Sequence, residues 1–274
     1  MSLYDVIHDI SEQQVTKTET GDTRIYGVVV GIVAKNYSED MKGRLCVTIP
    51  TRDKGKNELK WARLAMPSGG KSWGTYFMPE IGDQVLLAFE GGNIERPYVI
   101  GCIAMDNYTF LTRNADENNQ SKCITTKHGS NITFWDNKDD QDGAKDKITI
   151  QSADKRHTIL LDNENEKIVI QDKKKKNYIE LNTQEGSGSL EIKVDSSLTI
   201  KVGDKIQLNL NGESGVVKLE AQQVKVETNQ QFSVEASGSI SLEGGNVNVE
   251  GRTNTKITSG GVMKVSGSPV NIGM

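Results

Sequence analysis

Asp139, Asp140, Asp142 and Asp146 form the densest acidic cluster in this 274-residue chain, and acid–base or metal chemistry would be sought there first. Paired carboxylates act on a glycosidic bond only when a cleft holds them at a set separation, and calcium loops need oxygen ligands at fixed intervals. Here Lys138, Lys145 and Lys147 interleave with the acids and the calcium-loop spacing is absent, so the segment reads as a solvated turn. His8, His128 and His157 lie in separate segments with no carboxylate or cysteine at ligand spacing. Surface imidazoles are expected, not a triad or a single-chain metal site. Cys46, Cys102 and Cys123 are odd in number and too far apart for a C-x-x-C pair, so they are expected as buried thiols. Lys173 to Lys176 follow Asp172 directly and read as a second solvated turn. These residues imply no enzyme, no cofactor and no metal.

The elements that carry them are β-strands. Only 35% of the residues are apolar and 5% aromatic, which leaves too little for a conventional core along the whole chain. The formal net charge of −4, with Lys and Arg scattered among acids, excludes nucleic acid as a partner. Leu3, Val6, Ile7 and Ile10 keep helical i, i+3, i+4, i+7 spacing, as in a short amphipathic helix that is either a frayed end or a docking segment. The start has no basic and apolar signal pattern, and no apolar run is long enough to span a bilayer, so synthesis and assembly in the cytoplasm are expected. Strands are expected from Ile25 to Val33, Arg44 to Ile49, Leu59 to Ala65, Gln84 to Phe89 and Pro97 to Ile103, and five strands in about 80 residues make a small barrel. Beyond a polar connector from Thr112 to Gln120, Gly129 to Phe134, Lys147 to Gln151, His157 to Leu161 and Lys167 to Gln171 alternate apolar with polar residues, which again means β.

From Lys193 onward the chain repeats every eight residues. One position reads Val194, Val202, Leu210, a polar Lys218, Val226, Val234 and Leu242; another reads Ile200, Leu208, Val216, Val224, Phe232 and Ile240. After a slip of one residue the series resumes as Val249, Ile257 and Val265. Each block supplies a short strand and a Gly- or Asn-containing corner. Blocks this short cannot close a coil from one chain, whereas three identical chains winding together need only one such face each. The expected fold is therefore all-β, a barrel followed by a trimeric intertwined β-helix, a prism-like needle on the order of 50 Å long at about 4.8 Å per layer.

The string Met78-Pro79-Glu80-Ile81-Gly82-Asp83-Gln84-Val85-Leu86-Leu87-Ala88-Phe89-Glu90-Gly91-Gly92-Asn93, with Glu95-Arg96-Pro97-Tyr98-Val99-Ile100-Gly101 after it, resembles the OB domain of phage baseplate assembly protein V and of VgrG spikes. Gly43 to Pro50 resembles the same family. The resemblance implies an OB-fold barrel in which Pro79, Ile81, Gly82, Asp83, Val85, Phe89, Gly91, Arg96 and Pro97 are structural. It also implies a central spike of a contractile tail or injection system that pierces the target cell envelope mechanically.

On this reading residues 1–24 are a leader, 25–105 the OB domain, 106–189 a connector and neck, and 190–274 the needle and tip. The needle core is Val194, Ile200, Val202, Leu208, Leu210, Val224, Val226, Phe232, Val234, Ile240, Leu242, Val249, Ile257 and Val265. Some relatives hold iron at the tip through paired histidines or carry a lysozyme domain between barrel and needle; neither pattern is present here. Val270, Asn271, Ile272, Gly273 and Met274 are expected to seat a PAAR-type cap protein. Only about 24 residues precede the first strand, too few for the hub-like domain of VgrG proteins. A separate baseplate hub protein is expected, with Leu3, Val6, Ile7 and Ile10 as its contacts. Trp61, Trp73, Tyr76 and Phe77 are assigned to packing at the trimer base, because Arg63, Lys71 and Arg96 are offset by Glu80, Asp83, Glu90 and Glu95. The rival readings are a trimeric glycan-binding adhesin or tail-fibre-like protein, and a β-helical polysaccharide-degrading enzyme. The first needs exposed aromatics along the shaft, the second a cluster of acids.

Overall fold

The computed structural model describes residues 4, 7, 8, 11, 16–19, 21–52 and 60–271. The chain divides into two compact units, Met1–Ser197 and Leu198–Met274. Both are built from β-strands, as the alternation requires.

In the first unit β1 (Val29–Lys35), β2 (Arg44–Thr48), β3 (Lys60–Leu64), β4 (Gln84–Phe89) and β5 (Pro97–Ile103) close a barrel in the order β1-β2-β3-β5-β4. All pairings are antiparallel except β3 with β5. Alternate side chains point inward, and Leu45, Val47, Val85, Leu87 and Val99 are wholly buried. Gly31 faces the same interior from β1. A Cβ there would lie 2.7 Å from Leu87 Cδ1, so the missing side chain is the space that Leu87 fills. The first strand starts later than its apolar residues suggest: Ile25 to Val28 is a lead-in tied by Ile25 N–H to the Gly92 carbonyl at 3.0 Å, and strand pairing begins only where Val29 meets Leu87. Tyr26 and Val28 stay exposed as a result.

A short helix, α1 (Thr109–Asn114), occupies the start of the expected connector. Beyond it run β6 (Ser121–Thr125), β7 (Asn131–Trp135), β8 (Lys147–Gln151), β9 (His157–Asp162), β10 (Lys167–Asp172), β11 (Tyr178–Asn182) and β12 (Ser189–Lys193). They form one seven-stranded antiparallel meander in chain order. The turns use the acids read above. Asp140 accepts the Lys145 and Asp142 backbone N–H groups at 2.6 and 3.2 Å, and Asp172 accepts those of Lys176 and Asn177 at 3.0 and 3.2 Å.

In the second unit β13 (Ser197–Val202), β14 (Ile206–Asn211) and β15 (Val216–Glu220) form a three-stranded sheet. Described residues 221–271 contain neither helix nor strand, and no backbone–backbone hydrogen bond joins them. The repeat therefore yields strands in its early blocks and not in its later ones. A strand exists only against a partner's N–H and C=O groups, and one chain brings none within reach there.

Candidate assembly surface

Strand register collects the meander's apolar residues into two rows on one face. Ile124, Ile132, Ile150, Ile159, Ile170, Ile179 and Ile192 are successive cross-strand partners, and beside them run Phe134, Ile148, Leu161, Ile168, Leu181 and Leu190. Most of these side chains are exposed, Leu190 to 62%. The opposite face carries polar pairs, among them Lys147 with Glu164 at 2.7 Å and with the buried Asp162 at 3.5 Å. Burial pushes the Asp162 carboxyl up, but hydrogen bonds from Asn165 and the Lys147 charge outweigh it and hold the group below the usual carboxylate range.

The repeat continues this exposure. Leu208 and Leu210 are half-buried, while Val194, Ile200, Val202, Val224, Val226, Phe232, Val234, Ile240, Leu242, Val249, Ile257 and Val265 are exposed, Leu242 to 76% and Ile257 to 73%. A stretch of about 50 residues presenting an aliphatic side chain at every block, with its backbone unpaired, has no stability of its own.

Of the other anticipated site residues, Ile7 is helical and exposed, whereas Leu3, Val6 and Ile10 lie outside the described residues. Val270 and Asn271 are exposed; Ile272, Gly273 and Met274 lie outside the described residues. His8, His128 and His157 are all exposed and far apart in the chain, and the described residues contain no cluster able to hold a metal ion. The thiols differ from expectation. Only Cys46 is buried, Cys123 is half-buried and Cys102 is exposed, out of phase with the buried Pro97 and Val99 of β5.

The family string of the barrel has a local reason for each residue. Gly82 takes a left-handed φ of 95°, its N–H bonds to the Val33 carbonyl at 2.8 Å, and the Asp83 carboxylate accepts the Glu80 N–H at 2.8 Å. Ile81 projects outward from this turn, while Pro79 precedes it buried. Val85 and Phe89 enter the core from β4, Gly91 sits in the 3₁₀ turn Glu90–Gly92, and the buried Pro97 opens β5. Arg96 closes the hairpin onto Glu90 at 3.1 Å. Residues 29–103, which span β1 to β5, match the family model of the type VI secretion system/phage-baseplate injector OB domain.

This barrel is similar to an injector OB domain. The type VI secretion system spike proteins VgrG1c and VgrG1a of Pseudomonas aeruginosa are each 29% identical to the chain over 113 residues, 39% of its length. The aligned stretch spans 15% and 17% of those two relatives. The resemblance to VgrG-type baseplate spikes thus holds for the N-terminal region that carries the barrel. Arg44 is the residue near it that sequence reasoning passed over. Its signal is alternation alone, one position before the buried Leu45, with Arg63 standing in the same phase beside the buried Ala62.

Proposed function

We propose that the chain is a structural spike of a contractile injection machine, three copies of which intertwine through residues 190–274 as a β-helical needle that pierces the target envelope. The observation that carries this reading is the exposed repeat, whose aliphatic side chains and unpaired backbone need identical neighbours to be covered. Covering roughly 1.5–3 kcal/mol of side chain per site, at many sites in three chains, offsets the ordering cost only in the assembly. The apolar rows of residues 106–189 would form the neck by the same logic. Residues 25–105, the OB domain, would dock on a separate hub protein with help from Leu3, Val6, Ile7 and Ile10 in the leader, 1–24. Val270, Asn271, Ile272, Gly273 and Met274 would seat a PAAR-type cap.

The role is mechanical and not enzymatic, and nucleic acid is not a partner in it. Copies would be made and assembled in the cytoplasm and leave the cell within an injection particle or virion baseplate. Among the described residues no helix is long and apolar enough to cross a membrane. Light scattering on the purified chain tests the reading: a mass three times 30.1 kDa is expected, weakened when residues 190–274 are removed. A stable full-length monomer would end it.

A further inference from the structure

On the outer face of the barrel, Arg44 of β2 stands directly across from Arg63 of β3, and Tyr98 of β5 continues the same row. Like charges opposed across a strand pair destabilise it unless negative charge is supplied. Two carboxylates border the same cleft, but each is engaged elsewhere. Glu90 accepts hydrogen bonds from Arg96 Nη1 at 3.1 Å and from Tyr98 Oη at 2.7 Å, and Glu95 accepts one from Lys60 Nζ at 2.7 Å. Those bonds, Tyr98 first, hold Glu90 below the usual carboxylate range and keep it charged. Arg63 feels Glu90 only through space, and neither the Arg44 nor the Arg63 side chain makes a hydrogen bond or ion pair among the described residues. The cleft they open into measures about 410 Å³, is walled on one side by Trp61, and is lined mainly by polar surface.

We infer that this cleft is a carboxylate-binding site, in which a lone Asp or Glu side chain from an otherwise neutral segment of a partner protein is clamped between the Arg44 and Arg63 guanidinium groups. Planar forked donors match a carboxylate two bonds at a time, and a desolvated anion between two arginines removes the repulsion that the empty row carries. Glu90 and Glu95 on the rim set the selectivity. They repel a polyanionic strand with a charge every few ångströms and tolerate a single buried carboxylate flanked by neutral residues. The site belongs to the folded barrel and does not depend on the trimeric needle.

Fluorescence anisotropy of a fluorescein-labelled Gly-Leu-Glu-Leu-Gly peptide with the full-length chain tests this. Binding that falls as salt rises is expected, with the Gln-substituted peptide binding at least about tenfold more weakly, and with R44Q and R63Q together costing at least about tenfold. Glu90→Gln should tighten binding a few-fold by removing a rim charge. Without peptide, R63Q should keep or raise the barrel's melting temperature, because it relieves the Arg44–Arg63 opposition. Equal binding of the Glu and Gln peptides, or unchanged binding by the arginine variants, overturns the proposal. So does displacement of the peptide by inorganic phosphate at equal concentration, which would make the cleft a simple anion slot. A lower melting temperature for R63Q would do the same by making the arginine structural. Light-scattering mass on the same samples reports the trimer separately, so failure of one reading is distinct from failure of the other.

Discussion

The barrel and the C-terminal repeat both carry regularly spaced Val, Ile and Leu, yet in the barrel Val85 and Leu87 are fully buried while in the repeat Val226 is 61% exposed. The difference is closure. Five strands pairing β1 back to β4 leave no edge and enclose one core, whereas the repeat pairs only β13 to β15 into an open three-stranded sheet and leaves residues 221–271 without strands. The same alternation thus gives a self-sufficient domain in one place and an unfinished surface in the other. The meander lies between these cases, with all its strands paired and one apolar face left open.

The comparison breaks most visibly if an acid is placed in the repeat. Ile240→Asp is expected to cost roughly 5–9 kcal/mol per trimer, a side chain of about 1.5–3 kcal/mol lost in each of three copies. It should abolish the threefold mass and expose residues 198–274 to protease, while hydrogen exchange in 29–103 stays unchanged. Leu87→Ala should do the reverse. About 2–5 kcal/mol of barrel stability is lost by denaturant unfolding, and the mass in solution is kept.

Asp162→Asn sharpens the middle case, costing about 1–3 kcal/mol in the meander through weakened bonds to Asn165 and Lys147. Its folded carboxyl lies below the ordinary range, so its contribution is complete above the unfolded pKa of about 3.9 and disappears as pH falls through the folded value. Urea midpoints should therefore fall between neutral pH and about pH 3, and fall less in the Asn variant. Gly82→Ala should cost about 1–2 kcal/mol, read as a drop in the barrel's melting temperature. The added methyl meets nothing, so the cost is backbone strain at φ 95°. Lys127→Ala, which breaks the exposed 2.9 Å pair with Glu80, should shift the unfolding midpoint by less than about 1 kcal/mol.

Much of this was legible from residue order. Gln84–Phe89 and Pro97–Ile103 are strands with the bounds that their apolar runs and flanking glycines indicate, and the Glu80–Asp83 turn has the chemistry its sequence advertises. Strands β6, β11 and β12 were harder to see. Lys122-Cys123-Ile124 offers a single strong apolar residue, and Glu180 and Glu191 interrupt the others with charge that becomes tolerable only on the polar side of a sheet. Cys102 was misread because residue type alone was used; it stands out of phase with Pro97 and Val99, the residues β5 buries.

Spacing alone determined the β character, the turns and the eight-residue period, since all three depend on neighbours within a few residues. Register between distant strands is a long-range property, and only the tertiary structure decided it. It aligned isoleucines from seven strands into one open row, set the parallel pairing of β3 with β5, and brought Arg44 face to face with Arg63. A side chain's partner across a sheet depends on which strands meet and in which phase, and a shift of one residue would have sent each of these groups to the other face.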